Sequence, residues 1–183
     1  MATTLLPFRD YDEHDVINLF TADSGITLPL TKGHIVMIDG GWVNNDELQF
    51  LGDVGTSNFD GGVVSERYGV KADFKKASGT SAALLGMTLY DVKETDENGE
   101  KLVFNPRKAA EMEVALSGQA VPVATRGVFL YSGDTTAYSS VAAGDSLYHD
   151  DAGLVTTNST NTKIGKALGP TGEGGHVLIK LEL

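Results

Sequence analysis

The sequence predicts a mainly all-β chain with one short helix and an extended N-terminal arm. Three observations carry this. Short runs of β-branched and aromatic residues recur, such as Ile35-Val36-Met37-Ile38 and Val128-Phe129-Leu130-Tyr131, and these residue types suit a pleated, half-buried surface. Between the runs lie glycines, 22 in 183 residues, above the usual level of about 7%. They have no fixed period and sit where turns are needed. Finally, the single good helix start is Asn105-Pro106: Asn caps free backbone N–H groups and Pro fits the first helical position.

The arm is residues 1–30 and the β-rich domain residues 31–183. An internal division into two β units, 31–104 and 121–183, fits the same length. In the arm, Pro7 and Pro29 interrupt regular structure and residues 10–15 are very polar. Seven large apolar side chains fall in this segment: Leu5, Leu6, Phe8, Val16, Ile17, Leu19 and Phe20. Apolar surface left free in solution marks an interaction site, so these seven are the candidate contact residues. The competing reading is that the arm folds back as a strand of its own sheet.

From Thr31 onward the strand signals are plain. Ile35–Ile38 closes on Asp39-Gly40-Gly41, Val63-Val64 begins another run toward Val70, and Leu84–Tyr90 holds Gly86 in its middle. Asn98-Gly99 between residues 90–92 and 102–104 predicts a hairpin, because Asn-Gly supplies the positive φ angles of a tight turn. A helix near 106–111 is expected to run into a strand. Val121-Pro122-Val123 predicts a sheet edge, since Pro cannot donate to a ladder. Further strands are expected at 128–131, 146–148 and 163–168. The last runs to the terminus with Val177, Ile179, Leu181 and Leu183 on one face and His176, Lys180 and Glu182 on the other. Gly33-His34-Ile35-Val36 with Leu85-Gly86-Met87-Thr88-Leu89 echoes Gly144-Asp145-Ser146-Leu147 with Ile164-Gly165-Lys166-Ala167-Leu168. If the echo is a repeat, its first copy carries an insertion around 42–70.

Composition excludes several functions. Without cysteine there is no disulfide framework, thiol nucleophile or Cys-ligated metal. A net charge of −11 opposes the phosphate contacts of a nucleic-acid binder. No apolar run approaches the roughly 20 residues of a membrane helix, and the N-terminus lacks the basic start of a signal peptide. Asp23-Ser24-Gly25 matches a short aspartic-protease signature, but without the apolar strand that buries and pairs such an Asp. Asp96-Glu97-Asn98-Gly99 begins like a calcium loop, yet its twelfth residue is Arg107 rather than Glu. Gly169–Gly175 lacks the Lys of a phosphate loop. His14, His34, His149 and His176 have no metal-ligand spacing, and the Asp residues around His149 read as a solvated turn. Trp42 reads as a core residue. No catalytic, cofactor or metal residue is expected.

Residues 121–183 resemble the capsid decoration, or cement, proteins of tailed bacteriophages. The likeness lies in an order of elements: Arg126-Gly127-Val128-Phe129, then Val141-Ala142-Ala143-Gly144-Asp145-Ser146-Leu147-Tyr148, Asp151–Thr157, Ile164-Gly165-Lys166-Ala167-Leu168 and Val177-Leu178-Ile179-Lys180-Leu181. Gly86–Val92 and Asn105–Lys108 look like the middle of longer phage structural proteins, and the first 30 residues are not covered. The resemblance implies a small β-barrel or β-sandwich, a homotrimer, the major capsid protein as partner and a place on an expanded capsid. The acidic charge adds the outer face. A fibre, tail or adhesin module binding a host glycan is the alternative, and an aspartic-type hydrolase the remote one.

Overall fold

The structure, a computed structural model, describes residues 4–7, 13–23, 25–39, 43–44, 70–80, 83–116, 118–132 and 141–183. Trp42, Phe8, Val63 and Val64 lie outside them. The strands are β1 (Thr4–Pro7), β2 (Val16–Ile17), β3 (Thr21–Ala22), β4 (Ile35–Ile38), β5 (Val43–Asn44), β6 (Val70–Lys71), β7 (Asp73–Lys76), β8 (Leu84–Thr88) and β9 (Asp91–Val92). Helix α1 (Pro106–Glu111) follows, then β10 (Val114–Ala115), β11 (Val123–Ala124), β12 (Arg126–Ser132), β13 (Ser146–His149), β14 (Val155–Thr156), β15 (Lys163–Ala167) and β16 (Val177–Glu182). The fold is all-β with one short helix among the described residues, as the sequence predicts.

Two six-stranded sheets dominate. One has the order β2-β11-β8-β4-β7-β3, the other β1-β12-β16-β15-β13-β14. Five strands of each correspond one to one. The row β2-β11-β8-β4-β7 matches β12-β16-β15-β13-β14, and the matched strands follow the same chain order. The registers agree residue by residue. Ile35 opposes Met87 and Val36 opposes Gly86, with a bulge before Met37 opposes Leu84. Ser146 opposes Lys166 and Leu147 opposes Gly165, with a bulge before Tyr148 opposes Lys163. Ile38 faces Phe74 as His149 faces Val155. Val123 faces Thr88 and Ile17 as Ile179 faces Ala167 and Phe129.

The turns agree too. Gly33 and Gly144 occupy equivalent places with φ of 93° and 92°, a conformation that favours glycine. Gly33 N–H donates to Thr88 O and Gly144 N–H to its equivalent, Ala167 O. At Gly86 an added Cβ would lie 2.3 Å from Ala124 O, and at Gly165 2.0 Å from Lys180 O; Ala124 and Lys180 are themselves equivalent. The sequence echo is therefore a structural repeat. The first module runs from β2 to β11 and the second from β12 to β16. The first carries two added segments, one between β4 and β7 and one between β8 and β11. The former spans the expected insertion around 42–70, of which only β5 and β6, paired antiparallel, are described.

The modules stack front to back. Val36, Phe74, Leu85 and Val123 point to one side of the first sheet, where Leu30, Val92 and Ala115 cover them. Ile35, Met87 and Ala124 point to the other side, into a core shared with Phe129, Tyr131, Leu147, Ile164, Ile179 and Leu181 of the second sheet. Alternation makes this arrangement, since neighbouring residues of a strand face opposite ways; at the β8 bulge it slips, and Leu85 and Met87 fall on opposite sides. Hydrogen bonds tie the layers together: Ile35 N–H donates to Gly153 O at 2.7 Å, and Gly79 N–H donates to the Asp151 side chain at Oδ1, 2.9 Å away.

Several expectations hold. In β16, Val177, Ile179 and Leu181 are buried while Leu178 and Lys180 are half-buried and Glu182 exposed. Helix α1 starts at Pro106, with the Asn105 side chain accepting from Lys108 N–H, and leads through a turn into β10. Three expectations need correction. Around Asn98-Gly99 there is a tight turn with Gly99 at φ 81°, but residues 102–104 form a 3-10 turn and not a returning strand. Only Leu102 there has a core to enter, Phe104 being 84% exposed, and the Asn105 cap starts a helix at once. Val121-Pro122-Val123 is not an edge: β11 lies between β2 and β8, with Pro122 placed just before it, where only its carbonyl is used, by Leu89 N–H. The C-terminal face ends at Leu181, since Leu183 is 37% exposed.

Candidate interaction surfaces

Of the seven apolar residues of the N-terminal segment, Phe8 lies outside the described residues and the other six are placed at three levels. Leu5 and Leu6 lie in β1, opposite Tyr131 and Leu130 on the outer edge of the second sheet. Val16 and Ile17 form β2 against β11. Ile17 and Leu19 pack against the core of the first module, and Phe20 is inside it at 7% exposure. Residues 4–7 thus extend one sheet while residues 16–22 border the other, so this stretch links the two layers.

The remaining sequence candidates are turn and packing residues. Asp23 follows β3, its N–H donating to Phe74 O and its carbonyl accepting from Ile26 N–H. Asp96 holds the 96–100 turn: its Oδ1 accepts from Asn98 and Glu100 N–H, both at 2.8 Å, and its Oδ2 pairs with Lys108 Nζ. The Lys108 ammonium, followed by these backbone bonds, holds the Asp96 carboxyl below the usual range. Both oxygens are thus engaged within the turn and by Lys108. Asp150 Oδ1 accepts from Ala152 and Leu154 N–H, which makes it the turn residue expected. Asp151 accepts from Gly79 N–H and Asn161 Nδ2, and the Gly79 bond first, then Asn161, lowers its carboxyl.

Nor do the histidines converge. His14 is exposed and His176 half-buried. His34 is 8% exposed with Nδ1 2.7 Å from Thr31 O, and burial lowers its basicity. His149 is fully buried, Nδ1 3.0 Å from Asp150 O, and its Nε2 has no protein partner. Among the described residues no three His, Asp or Glu side chains gather into a metal-binding group. Among them, too, no helix is long and apolar enough to cross a membrane. An open groove of about 630 Å³ runs between Ile26, Leu28, Pro29 and residues 93–97. Its described lining contains no aromatic ring.

A surface that sequence reasoning missed is the outer side of the second sheet. Ser146, Lys166, Lys180 and Val128 stand in one cross-strand row there, all half-buried, with Arg126 opposite Glu182 alongside. The signal was available in the alternation of β16, which puts Lys180 away from the core, but cross-strand neighbours need the register.

Residues 109–183 match the family model described as phage cement protein, which covers β10, β11 and the whole second module. No curated protein and no solved structure matches the chain.

Proposed function

We propose that this chain, whose residues 109–183 match the phage cement protein family model, is a non-catalytic virion protein that binds the outer face of an expanded capsid and stabilises it. The family match carries this reading. It falls on a complete five-stranded module, not on a fragment of one. The charge of −11 supports the outer face, because a position against packaged DNA would be repulsive. The major capsid protein is the partner, and neither nucleic acid nor membrane takes part. The chain acts as a homotrimer, whose repeated weak contacts add through multivalency.

Within this reading the N-terminal segment makes the capsid contact around Leu5, Leu6 and Phe8. Val16, Ile17, Leu19 and Phe20, which lie in or against the chain's own first core or its edge strand, anchor that segment. The test is co-sedimentation of the purified protein with expanded and unexpanded shells. Retention on expanded shells alone is expected, and deletion of residues 2–8 should abolish it while the far-ultraviolet spectrum persists. A wild-type chain that fails to sediment with any shell contradicts the capsid reading. A truncated chain that binds as well as the full one contradicts the contact assignment only.

A further inference from the structure

The two modules use equivalent rows of residues in different ways. In the first, the row Ile35, Met87, Ala124 and Val16 runs across four strands. Its first three members are fully buried against the second module. In the second, the same row reads Ser146, Lys166, Lys180 and Val128 and is half-buried. The positions by which one module docks on the next are thus present again on the side of the second module away from the first, with two lysines in place of Met and Ala.

Those lysines stand directly opposite each other, an arrangement that is unfavourable for like charges in a sheet. Arg126 adds a third cation to this face. Glu182, paired with Lys180, is the acid within it. In a chain of net charge −11 such a face is the exception, and an acidic protein surface is its complement. The chain itself offers one. Glu94, Glu97 and Glu100 are exposed on the segment added between β8 and β11, which covers the far side of the first module. Within that segment Lys108 pairs with Asp96 and Glu97, Lys93 with Asp91, and Lys101 stands beside Glu100; over residues 91–113 the acids still outnumber the bases, seven to four.

We infer that the outer face of the second sheet, centred on Lys166 and Lys180, docks a second copy of this chain through the acidic segment carrying Glu94, Glu97 and Glu100. The contact is head to tail, one end of the stack on the other, so it closes a ring only where each chain is turned against the next and otherwise builds an open row. The inference rests on the homo-oligomer part of the proposed function and is independent of its capsid part.

Sedimentation equilibrium of the full chain at low and high salt tests it. Wild type should self-associate, and more weakly at high salt, since exposed charges are screened. Lys166→Glu with Lys180→Glu should weaken association by about tenfold or more, as should Glu94→Lys, Glu97→Lys and Glu100→Lys together. Mixing the two variants should form mixed pairs, in which the reversed face of one meets the reversed segment of the other. Circular dichroism and melting check that each is folded; if either reversal unfolds the chain, the milder Lys→Gln and Glu→Gln sets replace it, with the same expectation. A wild-type monomer overturns the homo-oligomer reading and this inference together. An oligomer that survives both charge reversals overturns the inference alone. So does a lysine variant that keeps its self-association but loses retention on capsids, because the face would then belong to the shell.

Discussion

The first and second modules share strand order, register, bulge position and the close glycine contacts, yet they differ in what surrounds them. The second is five strands, extended at its edge by β1. The first carries two added segments, and each of its sheet faces is covered, one by its own additions and the other by the second module. The difference teaches which features belong to the fold and which to its use. Strand pairing and the glycines at 86 and 165 are held in common, while charge on the outward row and the length of the connections change freely.

The sharpest way to break the equivalence is a pair of core truncations. Phe129 and Ile17 occupy matching places opposite Ile179 and Val123, but Phe129 is fully buried and Ile17 only half-buried on an edge strand. Phe129→Ala should cost about 3–5 kcal/mol, and Ile17→Ala about 1 kcal/mol, the usual size for a single substitution. Urea unfolding of both variants measures this. Equal losses would mean that the edge strand is as tightly held as the centre.

The glycine pair sharpens the comparison. Gly86→Ala and Gly165→Ala each drive a Cβ into the neighbouring strand's carbonyl, Ala124 O and Lys180 O, so each should lose about 2–3 kcal/mol, as overpacking does. Gly169→Ala, with nothing within 4 Å of the added Cβ, should change stability by less than about 0.5 kcal/mol. Thermal melts rank the three. A tolerated Gly165→Ala would dissolve the equivalence at its closest contact.

The smallest effect concerns acid. Asp151 joins the layers through Gly79, and its folded carboxyl lies below the ordinary value. The unfolded chain therefore takes up the proton first as pH falls. This contribution is full above about pH 4, the unfolded value, and fades as pH drops through the lower folded one. Asp151→Ala should flatten the fall in melting temperature below pH 4, and an unchanged acid profile would remove Asp151 from the tie.

Much of the fold was legible because local chemistry decided it. Alternation along 177–181 placed the last strand's two faces, and Asn105-Pro106 located the helix. The echo around Gly86 and Gly165 was visible as letters, but its meaning lay in registers that pair residues from 15 to 52 positions apart. Pro122 misled because a proline before a strand and one in an edge strand read alike. Asn98-Gly99 gave the turn but not the fate of Leu102-Val103-Phe104, which depends on what core is within reach. For the contact surfaces, apolar content singled out the N-terminal segment. It could not reveal that Phe20 enters the chain's own core, nor that Lys166 and Lys180 stand face to face.

Electron microscopy of native particles, with the chain located in the map, tests the central claim most directly. The account predicts two stacked five-stranded modules on the outer surface of the expanded shell. Density for the chain on the inner surface, or in a tail fibre and absent from the shell, would contradict it.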